Sequence, residues 1–348
     1  MGFNDGFAQG GSLVRRVFSS LLTLVLTGTL LFVGAALWWL HEPLTLQAQP
    51  GSNVLDLEIE PGTSAKGVAE AAVASGARTE ASWLYLWFRA SGDSRLIRAG
   101  SYEISPGTTP RKLLSMLVRG EEALKSVMLP EGWTFKQVMA ALQTADNLRP
   151  DARGMTPEDI MAKIGKPGVH PEGRFFPDTY TYAKGSSDLA LLQRAARAMD
   201  KRLDAAWAVR QPDTPLKSPD EALILASIIE KETGKPADRA TISGVFTNRL
   251  RIRMLLQTDP TVIYGMGAEF DGNLRLSHLR ADTPYNTYTR AGLPPTPIAM
   301  PGRAALLAAV QPAKTNAMYF VSRGDGSSQF SATLDEHNRA VNTYIRGR

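Results

Sequence analysis

The feature that most constrains the fold is an apolar segment near the N-terminus. Val17 to Leu40 spans 24 residues without a charged side chain, whereas about 20 apolar residues let a helix cross a bilayer. Arg15 and Arg16 come immediately before this segment, and Trp38 and Trp39 lie at its far end. Because basic residues favour the cytoplasmic side and aromatic rings the membrane interface, the sequence predicts a transmembrane helix with the rest of the chain on the outer side.

A cleaved signal peptide is the competing interpretation. Gly34-Ala35-Ala36 offers small residues for cleavage, and Arg15-Arg16-Val17-Phe18 is faintly similar to a twin-arginine signal. We favour the membrane helix because the apolar run exceeds the roughly 7 to 15 residues of a signal core and no clear A-x-A site ends it. The predicted layout is then a cytoplasmic tail (1–16), a transmembrane helix (17–41) and a linker (42–53).

The remaining chain has the composition of folded domains. With 348 residues and 43% hydrophobic content, it is long enough for about two domains with real cores. The net charge of +5 arises without a long run of Lys or Arg, so no nucleic-acid partner is predicted. The chain has no cysteine, and its four histidines are scattered. Disulfides and thiolate chemistry are therefore excluded, and we predict no metal.

Three segments repeat a pattern of strand, turn and helix. Each has an alternating apolar strand, a turn with glycine, a serine or threonine N-cap and an amphipathic helix. The segments begin at Leu57, Tyr102 and Val127. A further helix is predicted over 80–95, between the first two.

Units of strand, Pro-Gly, Thr and helix resemble the LysM fold, and this resemblance implies a small sugar-binding subdomain over 54–125. Plain core scaffolding is the alternative use of such units. The predicted fold class is α+β, with a single N-terminal transmembrane helix, this LysM-like βα subdomain and a larger mixed α/β domain over 126–348.

A central helix carries the best candidate for chemistry. Ser218-Pro219-Asp220-Glu221 predicts its start, with a serine N-cap and a capping box. Near the other end, Glu232 follows apolar residues at offsets of three, four and seven, so its carboxyl extends an apolar stripe: Ile229, Ile228 and Leu225. Glu230 points about 200° away, toward smaller and more polar neighbours.

Apolar surroundings raise the pKa of a carboxyl group, which makes Glu232 a candidate general acid. The alternative is a surface residue in a fraying last turn, with Gly234 as the C-cap and Pro236 stopping the helix. The pattern alone leaves both interpretations open, since perturbed acids also occur in structural networks.

Two polar segments further along suit a sugar-binding surface. Gln257-Thr258-Asp259 precedes a short helix that Thr258 or Asp259 can cap, and residues 282–289 combine hydroxyls, an amide and aromatic rings. Such rings stack on pyranoses, while amides and hydroxyls fix their orientation. The alternative is an ordinary loop, which the prolines of 293–297 favour for the part that follows.

The remaining elements are predicted more coarsely. Residues 150–220 are expected to be mostly helical, with a loop over 172–180 near a groove. A second helix is expected after Pro236, and a β-hairpin followed by a helix over 334–345 closes the chain.

Several sequence blocks together resemble the YceG-like family of endolytic murein transglycosylases, over nearly the whole chain. The blocks occur in chain order: Glu172-Gly173 with Pro177-Asp178-Thr179, Ala226-Ser227-Ile228-Ile229-Glu230-Lys231-Glu232-Thr233, Asn248-Arg249-Leu250, Leu256-Gln257-Thr258-Asp259-Pro260-Thr261-Val262-Ile263-Tyr264-Gly265, Tyr285-Asn286-Thr287-Tyr288 and Gly292-Leu293-Pro294-Pro295. The region 146–170 and the N-terminal tail match only loosely.

The resemblance implies cleavage of the β-1,4 bond between N-acetylmuramic acid and N-acetylglucosamine in nascent peptidoglycan, ending in a 1,6-anhydro sugar. It places the catalytic acid at Glu232, with Glu230 and Asp259 in reserve. The residues expected to line the groove come from the two polar segments: Gln257, Thr258, Asp259, Tyr285, Asn286 and Tyr288. The implied setting is the bacterial inner membrane with a periplasmic catalytic domain. The partners are glycan strands, the lipid bilayer and peptidoglycan synthases, and no cofactor is expected.

Three other functions stay open at this point. A hydrolase with a lysozyme-like product would use the same acid, and a noncatalytic wall-binding scaffold would leave Glu232 inert. The family has also been labelled as aminodeoxychorismate lyase, a soluble pyridoxal phosphate enzyme. The membrane segment argues against that activity, and no lysine lies in a recognisable pyridoxal site.

Overall fold

The computed structural model describes residues 8–47 and 54–347 of the chain. Helix α1, Ala8–His41, contains the predicted apolar segment. Within it, Phe18–His41 is long and apolar enough to cross a membrane, with a mean hydropathy of 2.1 and no burial against the protein. Residues 1–7 of the predicted tail and 48–53 of the predicted linker lie outside the described residues.

The chain divides into two compact units, Met1–Ala123 and Leu124–Arg348. After α1, the first unit contains short strands and helices in the following order: β1 Thr45–Leu46, β2 Leu55–Ile59, α2 Ala65–Ala74, β3 Ala77–Arg78, α3 Ala81–Ala90, β4 Gly100–Ile104 and α4 Pro110–Arg119. β1 pairs antiparallel with β3, and β2 pairs antiparallel with β4.

The predicted strand, turn and capped helix are present in both repeats of this unit. Leu57 lies opposite Tyr102 in the β2–β4 register, and both side chains are buried in the core. Ser64 accepts a hydrogen bond from the Gly67 N–H at the start of α2, and Thr109 caps α4 in the same way. These caps satisfy amides that a helix leaves unpaired in its first turn.

The helix predicted over 80–95 is interrupted. α3 ends at Ala90, and a separate 3₁₀ turn follows over Asp93–Leu96. Gly92 between them has φ 81°, a left-handed conformation that glycine adopts easily and that ends a helix.

The second unit contains the remaining elements: β5 Leu124–Met128, α5 Phe135–Thr144, α6 Pro157–Lys163, β6 Thr179–Ala183, α7 Asp188–Ala208, α8 Pro219–Glu232, α9 Pro236–Arg251, α10 Asp259–Met266, α11 Leu276–Arg280, α12 Arg303–Val310, β7 Tyr319–Ser322, β8 Ser328–Ser331 and α13 Leu334–Val341. β5 and α5 are the third repeat, and Thr134 forms a full capping box with Gln137. The hairpin of β7 and β8 and the helix after it are confirmed.

Strand β6 corrects the prediction of mostly helical structure over 150–220. It pairs antiparallel with β5, with Tyr180 opposite Val127. Tyr180 and Tyr182 are buried, whereas Thr179 and Thr181 are exposed. This alternation of period two is the strand signal that the helical interpretation overlooked.

Helix α8 is the centre of the second unit. Every residue from Ala222 to Ile229 is buried, and the helix packs against α7, α9, α10 and α12. A helix that is apolar on all sides belongs inside a core. The sequence predicted only one buried stripe on α8, whereas all sides of the helix are buried over these residues. Glu230 and Glu232 therefore both follow directly on a fully buried part of the helix.

Candidate active site

The first turn of α8 is fixed by Ser218, whose hydroxyl accepts from the Glu221 N–H at 3.2 Å. The predicted capping box is only half formed. The Glu221 carboxylate accepts from the Lys217 N–H at 2.7 Å instead of from the Ser218 N–H.

The last turn of α8 does not fray in the way that the alternative interpretation requires. Thr233 follows Glu232 in an extended conformation with φ −147°, and its hydroxyl accepts from the Lys235 N–H at 2.9 Å. Gly234 does not adopt the left-handed conformation of a glycine cap. Pro236 begins α9, so the chain turns directly from one buried helix into the next.

The Glu232 carboxyl is withdrawn from bulk water, although part of the residue remains exposed to a cleft. The Thr258 hydroxyl donates a hydrogen bond to Glu232 Oε1. Burial raises the pKa of this carboxyl to about 7; Asp259 acts in the same direction, while the Thr258 hydrogen bond and Arg249 oppose the rise. A carboxyl with such a pKa exchanges its proton near neutral pH.

Thr258 is held in place by a buried hydroxyl network. Its N–H donates to Thr287 Oγ1 at 3.1 Å, and its carbonyl accepts from the Thr261 hydroxyl at 2.8 Å. The Thr261 and Thr287 hydroxyls are 2.9 Å apart. Gln257, just before, has φ 48° and donates its N–H to the Thr287 carbonyl at 3.0 Å. This network fixes the direction from which Thr258 approaches Glu232.

The cleft has a volume of about 380 Å³ and is lined by residues of α8, α9, α10, β7, α13 and two loops: Glu232, Arg249, Gln257, Asp259, Tyr288, Tyr319, Phe320, Leu334 and His337. The structure thus brings four predicted site residues together at one cleft, with Thr258 directly behind Glu232. The Tyr288 hydroxyl donates to Asp259 Oδ1 at 2.5 Å and joins the loop over 282–289 to the start of α10.

Tyr285 and Asn286 lie elsewhere, although the sequence predicts them in the same groove. The Tyr285 ring contacts Tyr264 edge to face at 5.0 Å and lines a different cavity. Asn286 is fully buried, and its amide nitrogen donates to three carbonyls at the end of α11: those of His278, Leu279 and Ala281, at 3.2, 3.1 and 2.6 Å. Its side chain braces this turn and is not exposed to a ligand.

Glu230 is also buried, but unlike Glu232 it contacts other helices and does not face the cleft. Its side chain is only 7% exposed and lies 3.8 Å from the Arg239 guanidinium. The Gly302 N–H donates to its carboxylate at 2.9 Å, at the start of α12. Burial raises its pKa, with the Gly302 hydrogen bond and Arg239 acting against the rise. Glu230 joins α8 to α12 and α9 and does not line the cleft.

Arg249 lines the cleft, although it entered the sequence-based prediction only within a block of family resemblance and not as a site residue. Its Nε donates to the Met318 carbonyl at 2.7 Å, and Nη1 donates to the Leu256 carbonyl at 2.7 Å. A signal was present in the sequence, because Arg249 follows apolar residues at offsets of three, four and seven, as Glu232 does: Phe246, Val245 and Ile242.

His337 and Tyr319 form the opposite wall of the cleft. Their rings stack with centroids 5.2 Å apart. His337 Nδ1 is buried and has no hydrogen-bond partner in the part of the chain that the structure describes. Nothing in the local pattern of α13 indicates this position. Within residues 8–47 and 54–347, no group of three or more His, Asp or Glu side chains is arranged to hold a metal ion.

Comparison with known proteins gives consistent matches. The model of the YceG-like family matches residues 57–343. An endolytic murein transglycosylase of Bacillus subtilis is 36% identical over 222 residues, which are 62% of this chain and 60% of that protein. One of Streptococcus pneumoniae is 27% identical over 289 residues, covering 72% of this chain and 51% of that protein. The matched segments thus span only half to three fifths of these curated relatives.

A solved structure agrees in fold. A YceG-like protein of Listeria monocytogenes is 28% identical and superimposes with a TM-score of 0.51, over 82% of this chain and 99% of that one.

Proposed function

Since this chain belongs to the YceG-like family, we propose that it is a lytic transglycosylase that cuts peptidoglycan strands internally, with Glu232 as its catalytic acid and base. The observation that carries the proposal is the Glu232 carboxyl, which has a pKa near 7 and faces a cleft. The names of the curated relatives support the substrate, since both are endolytic murein transglycosylases.

The reaction needs only one carboxyl group of the protein. Protonated Glu232 gives its proton to the glycosidic oxygen, the bond from this oxygen to C1 of N-acetylmuramic acid breaks, and positive charge develops at C1. The Glu232 carboxylate then accepts the proton of the C6 hydroxyl of the same sugar, whose oxygen bonds to C1. The products are a 1,6-anhydro end and a free 4-hydroxyl on N-acetylglucosamine.

The neighbours of Glu232 have distinct parts in this proposal. Thr258 holds the carboxyl toward the cleft, and the buried Arg249 guanidinium stabilises the carboxylate between the two proton transfers. Asp259 and Tyr288, joined by their hydrogen bond, form the wall where the charged sugar ring would lie. Gln257 contributes an amide to the same wall, so these residues are our candidates for substrate contact.

The first unit, which includes the apolar helix α1, would position the catalytic unit at its substrate. We assign the strand and helix repeats within 54–125 to a LysM-like subdomain that holds glycan. The apolar helix would anchor the protein once in the bacterial inner membrane, with the catalytic unit on the periplasmic side. From there it would cut strands as synthases extend them and so terminate elongation.

Product analysis tests the proposal. Full-length protein in detergent is incubated with uncrosslinked glycan strands, and the fragments are analysed by mass spectrometry. A lytic transglycosylase gives ends one water lighter than reducing ends, and internal cutting shortens long strands before short fragments accumulate. Reducing ends would instead establish a hydrolase, and strands left intact would establish a noncatalytic wall-binding protein.

A further inference from the structure

A second and larger cavity lies in the catalytic unit. Its volume is about 740 Å³, and its lining residues come from α5, α8, α10 and the loops beside them: Thr134, Lys136, Gln137, Glu172, Lys231, Pro260, Ile263, Tyr264, Gly267, Ala268, Tyr285 and Ile298. None of these residues lines the cleft of Glu232.

At two places in the chain, adjacent residues line the two different cavities. Lys231 lines the large cavity and Glu232 the cleft, and likewise Pro260 lines the large cavity and Asp259 the cleft. Adjacent residues have Cα atoms only about 3.8 Å apart. The walls of the two cavities therefore share backbone at these two places, and a polymer held at Glu232 would pass close to them.

The cavity combines an apolar wall with two cationic side chains. Ile263, Ile298 and the Tyr264 ring supply apolar surface, while Lys136 and Lys231 contribute ammonium groups. Neither lysine forms a salt bridge with a carboxylate among the described residues. Lys231 Nζ makes one hydrogen bond, to the Gly132 carbonyl at 3.3 Å. Both cations thus remain available to an anionic ligand.

The buried residue Glu172 also lines the cavity, and its carboxyl does not neutralise the positive charge of the two lysines at slightly acidic pH. Glu172 is 3% exposed, and it accepts from the Phe135 N–H at 3.0 Å and from the Tyr264 hydroxyl at 3.1 Å. Burial raises its pKa to about 7, so it carries little negative charge at slightly acidic pH.

The glycine after Glu172 fixes this acid in place. Gly173 has φ 78°, and a Cβ there would lie 2.5 Å from Pro297 Cβ. No other residue fits this turn without displacing the proline loop.

We propose that the large cavity binds the acidic stem peptide that the muramic acid residues of the strand carry. This inference rests on the proposed function and extends it to substrate choice. The N-acetylated sugars of such a strand are neutral apart from the lactyl group, so a pair of free ammonium groups is not needed for the sugar rings. A peptide instead offers carboxylates for the lysines, methyl groups for the apolar wall and amides for hydrogen bonds.

The test measures peptide binding apart from cleavage. Full-length protein in detergent is titrated calorimetrically with a soluble N-acyl stem peptide, and the Lys136→Met/Lys231→Met double variant is compared with the wild type. Lys201→Met is the matched control, because Lys201 is an exposed lysine of α7 that does not line the cavity. Binding should weaken about tenfold or more in the double variant, in the range of lost charge-assisted hydrogen bonds, and stay unchanged in the control.

A peptide whose carboxylates are amidated should bind as weakly to the wild type as the native peptide does to the double variant. Equal affinity of the native peptide for the wild type and the double variant, equal affinity of both peptides, or no binding at all would overturn the inference. Because these measurements involve no cleavage, they can succeed even if Glu232 proves inert.

A second measurement separates the peptide from the lactyl carboxylate that peptide removal exposes. The ratio of kcat/KM on peptide-bearing strands to that on peptide-stripped strands should fall about tenfold in the double variant. If kcat/KM of the double variant fell only on peptide-stripped strands, the lysines would bind the lactyl carboxylate, and the stem-peptide assignment would be refuted.

Discussion

Replacing Glu232 by glutamine separates the catalytic from the structural effect of the buried carboxyl. The amide keeps an oxygen that can accept the Thr258 hydrogen bond but has no proton acidic enough to transfer. Loss of a general acid typically slows a reaction by about 10² to 10⁴, and we expect Glu232→Gln to fall in or beyond this range. The same change should stabilise the fold at alkaline pH.

The stability gain follows from the pKa. Burial raises the Glu232 pKa from 4.5 to about 7, a difference that corresponds to about 3 kcal/mol at most. A raised folded-state pKa contributes stability below the unfolded value, and this contribution is lost as pH rises through the folded value. The wild type should therefore weaken relative to the glutamine variant between pH 4.5 and about 7, and the gap should then stay constant.

The assay pairs strand cleavage with urea unfolding of the full chain in detergent at pH 5 and pH 8.5. Glu172, whose pKa is also raised to about 7, is present in both proteins and cancels in the difference. Glu230→Gln is the control, since Glu230 belongs to the same helix but hydrogen-bonds Gly302 instead of lining the cleft. Full activity in Glu232→Gln with loss in Glu230→Gln would reverse our assignment, and an equal stability gap at both pH values would refute the buried proton.

Two further substitutions test the surroundings of the cleft. Thr258→Val should slow cleavage about tenfold through loss of a hydrogen bond to a charged group. It should also move the alkaline limb of the pH–rate profile to higher pH, because this hydrogen bond lowers the pKa of Glu232. Thr258→Ser should restore both the rate and the position of the limb, and a limb that does not move in Thr258→Val would contradict the hydrogen bond between Thr258 and Glu232. Asn286→Ala should reduce the free energy of unfolding by about 1–3 kcal/mol, because the buried Asn286 amide is removed and three carbonyls at the end of α11 lose their donor. Unchanged stability with a raised KM would instead place the Asn286 side chain at the substrate.

The position of Glu232 could be predicted because it depends on local geometry. Offsets of three, four and seven residues define one side of a helix in any fold, and this side of α8 is buried. The burial of Glu230 depends on contacts far along the chain, with Gly302 and Arg239. No pattern within α8 indicates those partners, so the sequence assigned Glu230 to a more polar face.

In the loop over 282–289, the direction of each side chain could not be predicted from the sequence. Its composition led to the prediction of one shared groove, yet Tyr285, Asn286 and Tyr288 have three different environments. Tyr288 reaches Asp259, Tyr285 packs on Tyr264 and Asn286 turns inward. In an irregular segment the side chains follow no fixed period, so the direction of each is set by its tertiary partners. Strand β6 differs, because its alternating tyrosines were a usable signal.

The surroundings of Glu232 also explain how one group could serve as acid and then as base. A carboxyl with an ordinary pKa would be ionised near neutral pH and could not donate, whereas burial alone would hold the proton too tightly to release it. Thr258 and Arg249 act against burial. Both are themselves held by buried hydrogen bonds, Thr258 through its N–H to the Thr287 hydroxyl and Arg249 to the Leu256 carbonyl. The resulting pKa of about 7 leaves both protonation states accessible at neutral pH, which is the condition that a two-step proton transfer through a single carboxyl requires.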